Sequence, residues 1–156
     1  MDLPAVQSDS SLDFSIEQNP AAVRLRLVGC RVEHGRGAVT RAVVECDGPI
    51  AGQRTVGRQE GSTCPGGDLR LSALATLDAV TQATGRALVL ELIGVKLLRA
   101  FDTNVVVVAV RASHQGQISR IVGSALADDD PLTSTARATM HAINRIASPL
   151  LMPVTG

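Results

Sequence analysis

The chain has 156 residues, 45% of them hydrophobic, with 15 basic residues against 15 acidic ones. That fits one domain or two small fused units with a packed core. A formal net charge of zero argues against nucleic-acid binding, which needs a basic face to neutralise phosphates. With two Phe, no Trp and no Tyr, the aromatic platforms that stack on single-stranded bases are missing too.

Residues 1–21 are acidic and without a clear period, and they contain no apolar core of a signal peptide. They read as a flexible arm, with Phe14 and Ile16 as a short piece that could dock. Val23 to Glu33 alternates and is rich in branched residues, the pattern of a strand. "HGRG" is a turn, Val39 to Cys46 a second strand, "DGPIAG" another turn, and Gln53 to Arg58 a third strand. A loop from Gln59 to Gly67 leads into a helix over about Asp68 to Thr84. Its apolar residues Leu71, Leu74, Leu77 and Val80 step by three, and Gly85 ends it as a glycine beyond the helix should.

The pattern then repeats. Leu88 to Leu98 is a strand, "RAFDT" a turn, Asn104 to Arg111 a strand, "SHQGQ" a turn and Ile118 to Leu126 a strand. Pro131 to Ala147 is the second helix, with Leu132, Ala136, Met140, Ile143 and Ala147 on one stripe. The segment PLLMPVTG (149–156) reads as a tail.

The repetition extends to the residues. "LRLVGCRV" matches "LELIGVKL", "RTVG" matches "RIVG", and "ALATLDAV" matches "ARATMHAI", in the same order and at offsets of 65, 66 and 63 residues. Three collinear matches indicate an internal duplication. The expected fold is α+β: two tandem βββα units, 22–86 and 87–148, with antiparallel sheets and helices on one face. "VVVVAV" (105–110) is apolar on both faces, so a second cover is expected. A homodimer supplies it more simply than closure within one chain.

Chemistry is sparse. Cys30, Cys46 and Cys64 form no CxxC, so reduced thiols in a cytoplasmic protein are expected, Cys30 and Cys46 as core residues and Cys64 exposed. His34, His114 and His141 lie at no metal-ligand spacing, and no Ser sits in GxSxG. His34 and His114 fall in turns and His141 aligns with Asp78 of the first copy. No catalytic constellation, metal site or cofactor is expected.

The run "ADDDPL" admits three readings. A metal loop needs alternating oxygen ligands, which are absent. A helix cap explains more: Pro131 suits the first helical position and Asp130 the N-cap, with Asp128 and Asp129 complementing the dipole. A contact to a ligand's ammonium group is the third.

Over residues 22–148, the tandem units resemble the C-terminal regulatory (leucine-sensing, dimerisation) domain of 2-isopropylmalate synthase. The residues that carry the likeness are "FDTNVVVVAV" with Asp102, and "VGSALADDDPLTSTARATMHAIN" with Asp128, Asp130, Ala138, Ala142 and Asn144. In the first copy they are Asp47-Gly48 and the helix ending "QATG". The chain departs from the family at the start of the first helix, "DLRLSALA" after a longer Gly-rich loop, and at the strand end of the second copy, "GSAL". The resemblance implies a free-standing, non-catalytic regulatory module that dimerises and binds a small metabolite, such as a branched-chain amino acid or a keto acid. Gly57, Asp68, Asp102, Gly123, Asp128 and Asp130 are then the candidate ligand contacts, and a partner enzyme is implied. Two alternatives stand beside it: a ligand-free dimerisation or scaffold protein, and an enzyme of unrecognised type.

Overall fold

The computed structural model describes residues 24–49, 52–127 and 130–151. The expected arm, and with it Phe14 and Ile16, lies outside the described residues, as do Asp128, Asp129 and the end of the tail. The elements run β1 (Arg26–His34), β2 (Val39–Asp47), β3 (Arg54–Ser62), α1 (Gly67–Ala83), β4 (Val89–Ala100), β5 (Thr103–His114), β6 (Gln117–Leu126) and α2 (Pro131–Ala147). A short 3-10 turn, Ser148–Leu151, follows and buries Leu151, so the start of the expected tail is part of the packed structure.

The fold is α+β, with two antiparallel sheets of order β1-β2-β3 and β4-β5-β6. Each unit repeats the other in detail. A bulge interrupts β1 between Leu27 and Gly29, and its counterpart interrupts β4 between Leu92 and Gly94. The backbone N–H of Arg58 donates to Asp78 Oδ2 at 3.0 Å. In the second unit the N–H of Ser124 points at His141 Nδ1 at 3.4 Å. Each contact gives a free-edge amide of the outer strand a partner from the helix above it.

The helices lie between the sheets. α1 rests on β2 and β3 and also touches β4, while α2 rests on β5 and β6 and also touches β1; the two helices touch each other. One hydrophobic cluster spans both units, from Val44, Cys46 and Val80 to Val106, Val108 and Ile143. A helix covered on several sides is apolar nearly all round, and in α1 only Arg70 and Gln82 are exposed. That explains why small residues dominate. Gly57 on β3 sits under Ala75 and Ala79, and Gly123 on β6 sits under Ala138 and Ala142.

β3 runs four residues past Arg58, into the segment expected to be loop. Its extension is pinned by register, Thr40 opposite Gly61 and Val39 opposite Ser62. The inward position Gly61 carries no side chain because Leu71 fills the space above it, so the alternation that marks a strand is hidden there. The turn after β4 is two residues long, with Phe101 at φ 54° and Asp102 at φ 59°. Positive φ at both positions is the geometry that matches hairpin twist.

Candidate functional site

An open groove of about 710 Å³ lies at the N-terminal end of α1. It is built where three elements meet. The β1–β2 hairpin brings His34, the 63–66 loop brings Thr63 and Cys64, and α1 brings Asp68 and Leu69. The second unit closes it with Leu97 of β4 and Pro131, the first residue of α2. Residues almost a hundred positions apart therefore share one wall. Cys30 tightens the same junction, its thiol donating to the Leu132 carbonyl at 3.7 Å.

The polar side chains are ordered by one another. His34 Nδ1 lies 3.2 Å from Thr40 Oγ1, which lies 2.6 Å from Thr63 Oγ1. On its other side, His34 Nε2 approaches Asp68 Oδ2 at 3.8 Å. This pair is largely solvated, so it orients more than it stabilises. α1 begins after Gly66, a left-handed residue at φ 76° with no side-chain cap. Its first-turn amides thus have no capping side chain, and with the dipole they favour an anion at this end. Leu69 and Leu97 add apolar surface.

The six residues expected at the site separate into distinct roles. Asp68 lines the groove. Asp130 stands beside it in sequence, one residue before Pro131, and caps α2: Oδ1 accepts from the Leu132 N–H at 3.1 Å, and the Thr133 hydroxyl donates to Oδ2. The Thr133 hydroxyl and the backbone amides of Thr133 and Leu132, with Arg137 nearby, hold its carboxyl below the usual range. Gly57 and Gly123 pack under helices, and Asp102 sits in the β4–β5 turn. None of these three lines the groove. Asp128 lies outside the described residues.

His34, Thr63, Cys64 and Leu97 were not among the expected contacts. His34 ends β1 opposite Thr40, a pairing that the hairpin register alone could have located. Leu97 and Pro131 enter through the packing of one unit on the other, which leaves no local sequence signal. Among the described residues, no three His, Cys, Asp or Glu side chains gather where they could hold a metal ion.

A smaller recess of about 260 Å³ lies at the other end of α1, lined by Leu25, Gln53, Thr55, Gln82 and Leu151 among others. Thr55 Oγ1 is buried there without a hydrogen-bond partner, but the Gln82 amide is committed to the Val56 carbonyl. Among the described residues, no helix is long and apolar enough to cross a membrane. No protein-family model matches the chain, and no curated protein matches it.

Proposed function

We propose that the chain is a non-catalytic regulatory module that binds a small amino acid or keto acid and works as a homodimer. The groove between the two units carries this reading. Amides at the start of α1 suit a carboxylate, Asp68 suits an ammonium group, and Leu69 with Leu97 suits an apolar side chain. A branched-chain amino acid has all three features. The resemblance of residues 22–148 to the regulatory domain of 2-isopropylmalate synthase supports the same ligand class, with a partner enzyme as the regulated target. Because the groove has walls from both units, a bound ligand would couple them, as a sensor requires.

The test is a titration with leucine followed by amide NMR spectra. Shifts confined to residues around Cys64, Asp68, Leu97 and Leu132 support the reading, and a spectrum unchanged at millimolar leucine and 2-ketoisocaproate contradicts it.

A ligand-free dimerisation scaffold is the second reading. It is favoured by the apolar outer face of the second sheet, where Val122 is 63% and Leu126 54% exposed.

A further inference from the structure

We propose that His34, Thr40 and Thr63 form a proton-set switch in the groove: with the His34 ring neutral the groove presents acceptors and takes an ammonium ligand, and with the ring protonated it presents donors and takes an anion. This rests on the proposed ligand groove and adds its regulation by pH.

The observation is a hydrogen-bond chain whose middle member is sealed from water. Thr40 is 0% exposed and stands opposite His34 across the β1–β2 pair. Its hydroxyl lies 3.2 Å from His34 Nδ1 and 2.6 Å from Thr63 Oγ1. His34 and Thr63, at the two ends, are exposed and line the groove. A hydroxyl carries one proton. Thr40 therefore donates to one neighbour and accepts from the other, because a buried proton left without an acceptor is costly.

Asp68 sets the direction. Its Oδ2 stands 3.8 Å from His34 Nε2, and a carboxylate favours a ring N–H on that side over a lone pair. In the neutral ring Nε2 thus holds the proton and Nδ1 accepts. Thr40 donates to Nδ1, Thr63 donates to Thr40, and Thr63 shows the groove only lone pairs. A protonated ring donates from both nitrogens. Nδ1–H then donates to Thr40, Thr40 turns its proton to Thr63, and Thr63 turns its own O–H into the groove. The same proton gives Asp68 a cationic neighbour. The groove loses acceptors for an ammonium group and gains a donor and positive charge beside the amides at the start of α1. The solvated His34–Asp68 pair is weak in itself, so the reversal is enforced at the buried Thr40 link.

The surrounding charges leave this arrangement in control. Among the described residues, Asp68 is the one carboxylate in ion-pair contact with His34. The flanking Glu33 and Arg41 face each other on the opposite side of the sheet, where Glu60 holds Arg41. Arg36 belongs to the exposed turn and Arg70 to the exposed side of α1. The 63–66 loop adds the Cys64 thiol. From the second unit the wall is Leu97 and Pro131, with Arg99 two residues beyond Leu97 on β4 and Asp130 engaged in capping α2.

Histidine changes charge between about pH 5 and 8, and leucine and 2-ketoisocaproate keep their charges over that range, so they serve as probes. NMR of the ligand-free protein reads the switch itself. The Thr63 methyl shift should follow the His34 ring titration in the wild type, and in Thr40→Val the ring should still titrate while Thr63 stays flat. Calorimetry reads the consequence. From pH 8 to pH 5 leucine should weaken about tenfold and 2-ketoisocaproate tighten, and His34→Gln should remove both trends. A Thr63 signal that is flat in the wild type, or that follows pH undiminished in Thr40→Val, overturns the switch. Ligand binding with the same pH dependence in His34→Gln overturns the switch and leaves the groove. A Thr63 signal that follows His34 while neither probe binds at either pH overturns the ligand groove, and with it the pH-set preference.

Discussion

Gly57 lies so close beneath Ala75 that a β-carbon on the glycine would stand 1.8 Å from the Ala75 carbonyl oxygen, and Gly123 stands in the same relation to Ala138 at 2.1 Å. The obstructing atoms are backbone, so neither helix can yield by changing a rotamer. Gly57→Ala and Gly123→Ala are each expected to cost about 3 kcal/mol or more by overpacking. Gly29→Ala and Gly94→Ala, where nothing lies within 4 Å of the new carbon, should stay within about 0.5 kcal/mol. Urea unfolding of the four variants measures this. Equal effects in all four would show that the glycines do not set the helix–sheet spacing.

The Asp130 cap gives an acid-side prediction. Its carboxyl is held below the ordinary value, chiefly by the Thr133 hydroxyl, so the folded state favours the ionised form. That contribution is complete above about pH 4, the ordinary aspartate range, and is lost as pH falls through the lower folded value. Asp130→Ala should cost about 1 kcal/mol at pH 7 and progressively less towards pH 2. Thermal melts of both proteins from pH 2 to 7 check it, and a gap that does not narrow in acid would remove the cap from the account.

Alkaline pH probes the core. Burial pushes the Cys46 thiol up to about 12. The unfolded chain ionises that thiol near pH 8.5, so stability is complete below that value and falls as pH rises towards about 12. The chain has no Tyr, and Lys96 is its single lysine, so few other groups titrate there. Melting temperatures between pH 8 and 11 should decline in the wild type and decline less in Cys46→Ala. Parallel slopes would contradict this.

Cysteine accessibility reports on the groove. Cys64 is exposed and Cys46 fully buried, so maleimide should modify Cys64 first and Cys46 only on unfolding. Leucine at saturating concentration should slow the Cys64 reaction without changing the order. Unchanged Cys64 kinetics would mean that leucine does not occupy this groove.

The architecture was legible in the sequence because duplication writes each element twice. The second helix matches its expected span, Pro131 to Ala147. Asp130 caps it as its position before a proline predicts. The left-handed Gly85 follows α1 where a glycine terminator is expected. The sandwiching of both helices was not legible, because Ala75, Ala79, Ala138 and Ala142 carry too little side chain to signal a buried face. The expectation that chain closure and a partner compete as covers for "VVVVAV" also needs restating. Val106, Val108 and Val110 are covered within the chain, while Val105, Val107 and Ala109 face outward and half-buried. The groove was only partly readable. Asp68 was an expected contact, but Leu97 and Pro131 reach it through contacts between units that no local pattern records.

The most direct test of the central claim is the melting temperature of the wild type and of Asp68→Asn in a panel of branched-chain amino acids and their 2-keto acids. A ligand at about 100 times its Kd adds about 2.7 kcal/mol, which raises Tm by roughly 5–10 °C for a domain of this size. The account predicts such a rise in the wild type with at least one member, and a much smaller rise in Asp68→Asn. No shift in the wild type with any member at millimolar concentration, or an equal shift in Asp68→Asn, would contradict it.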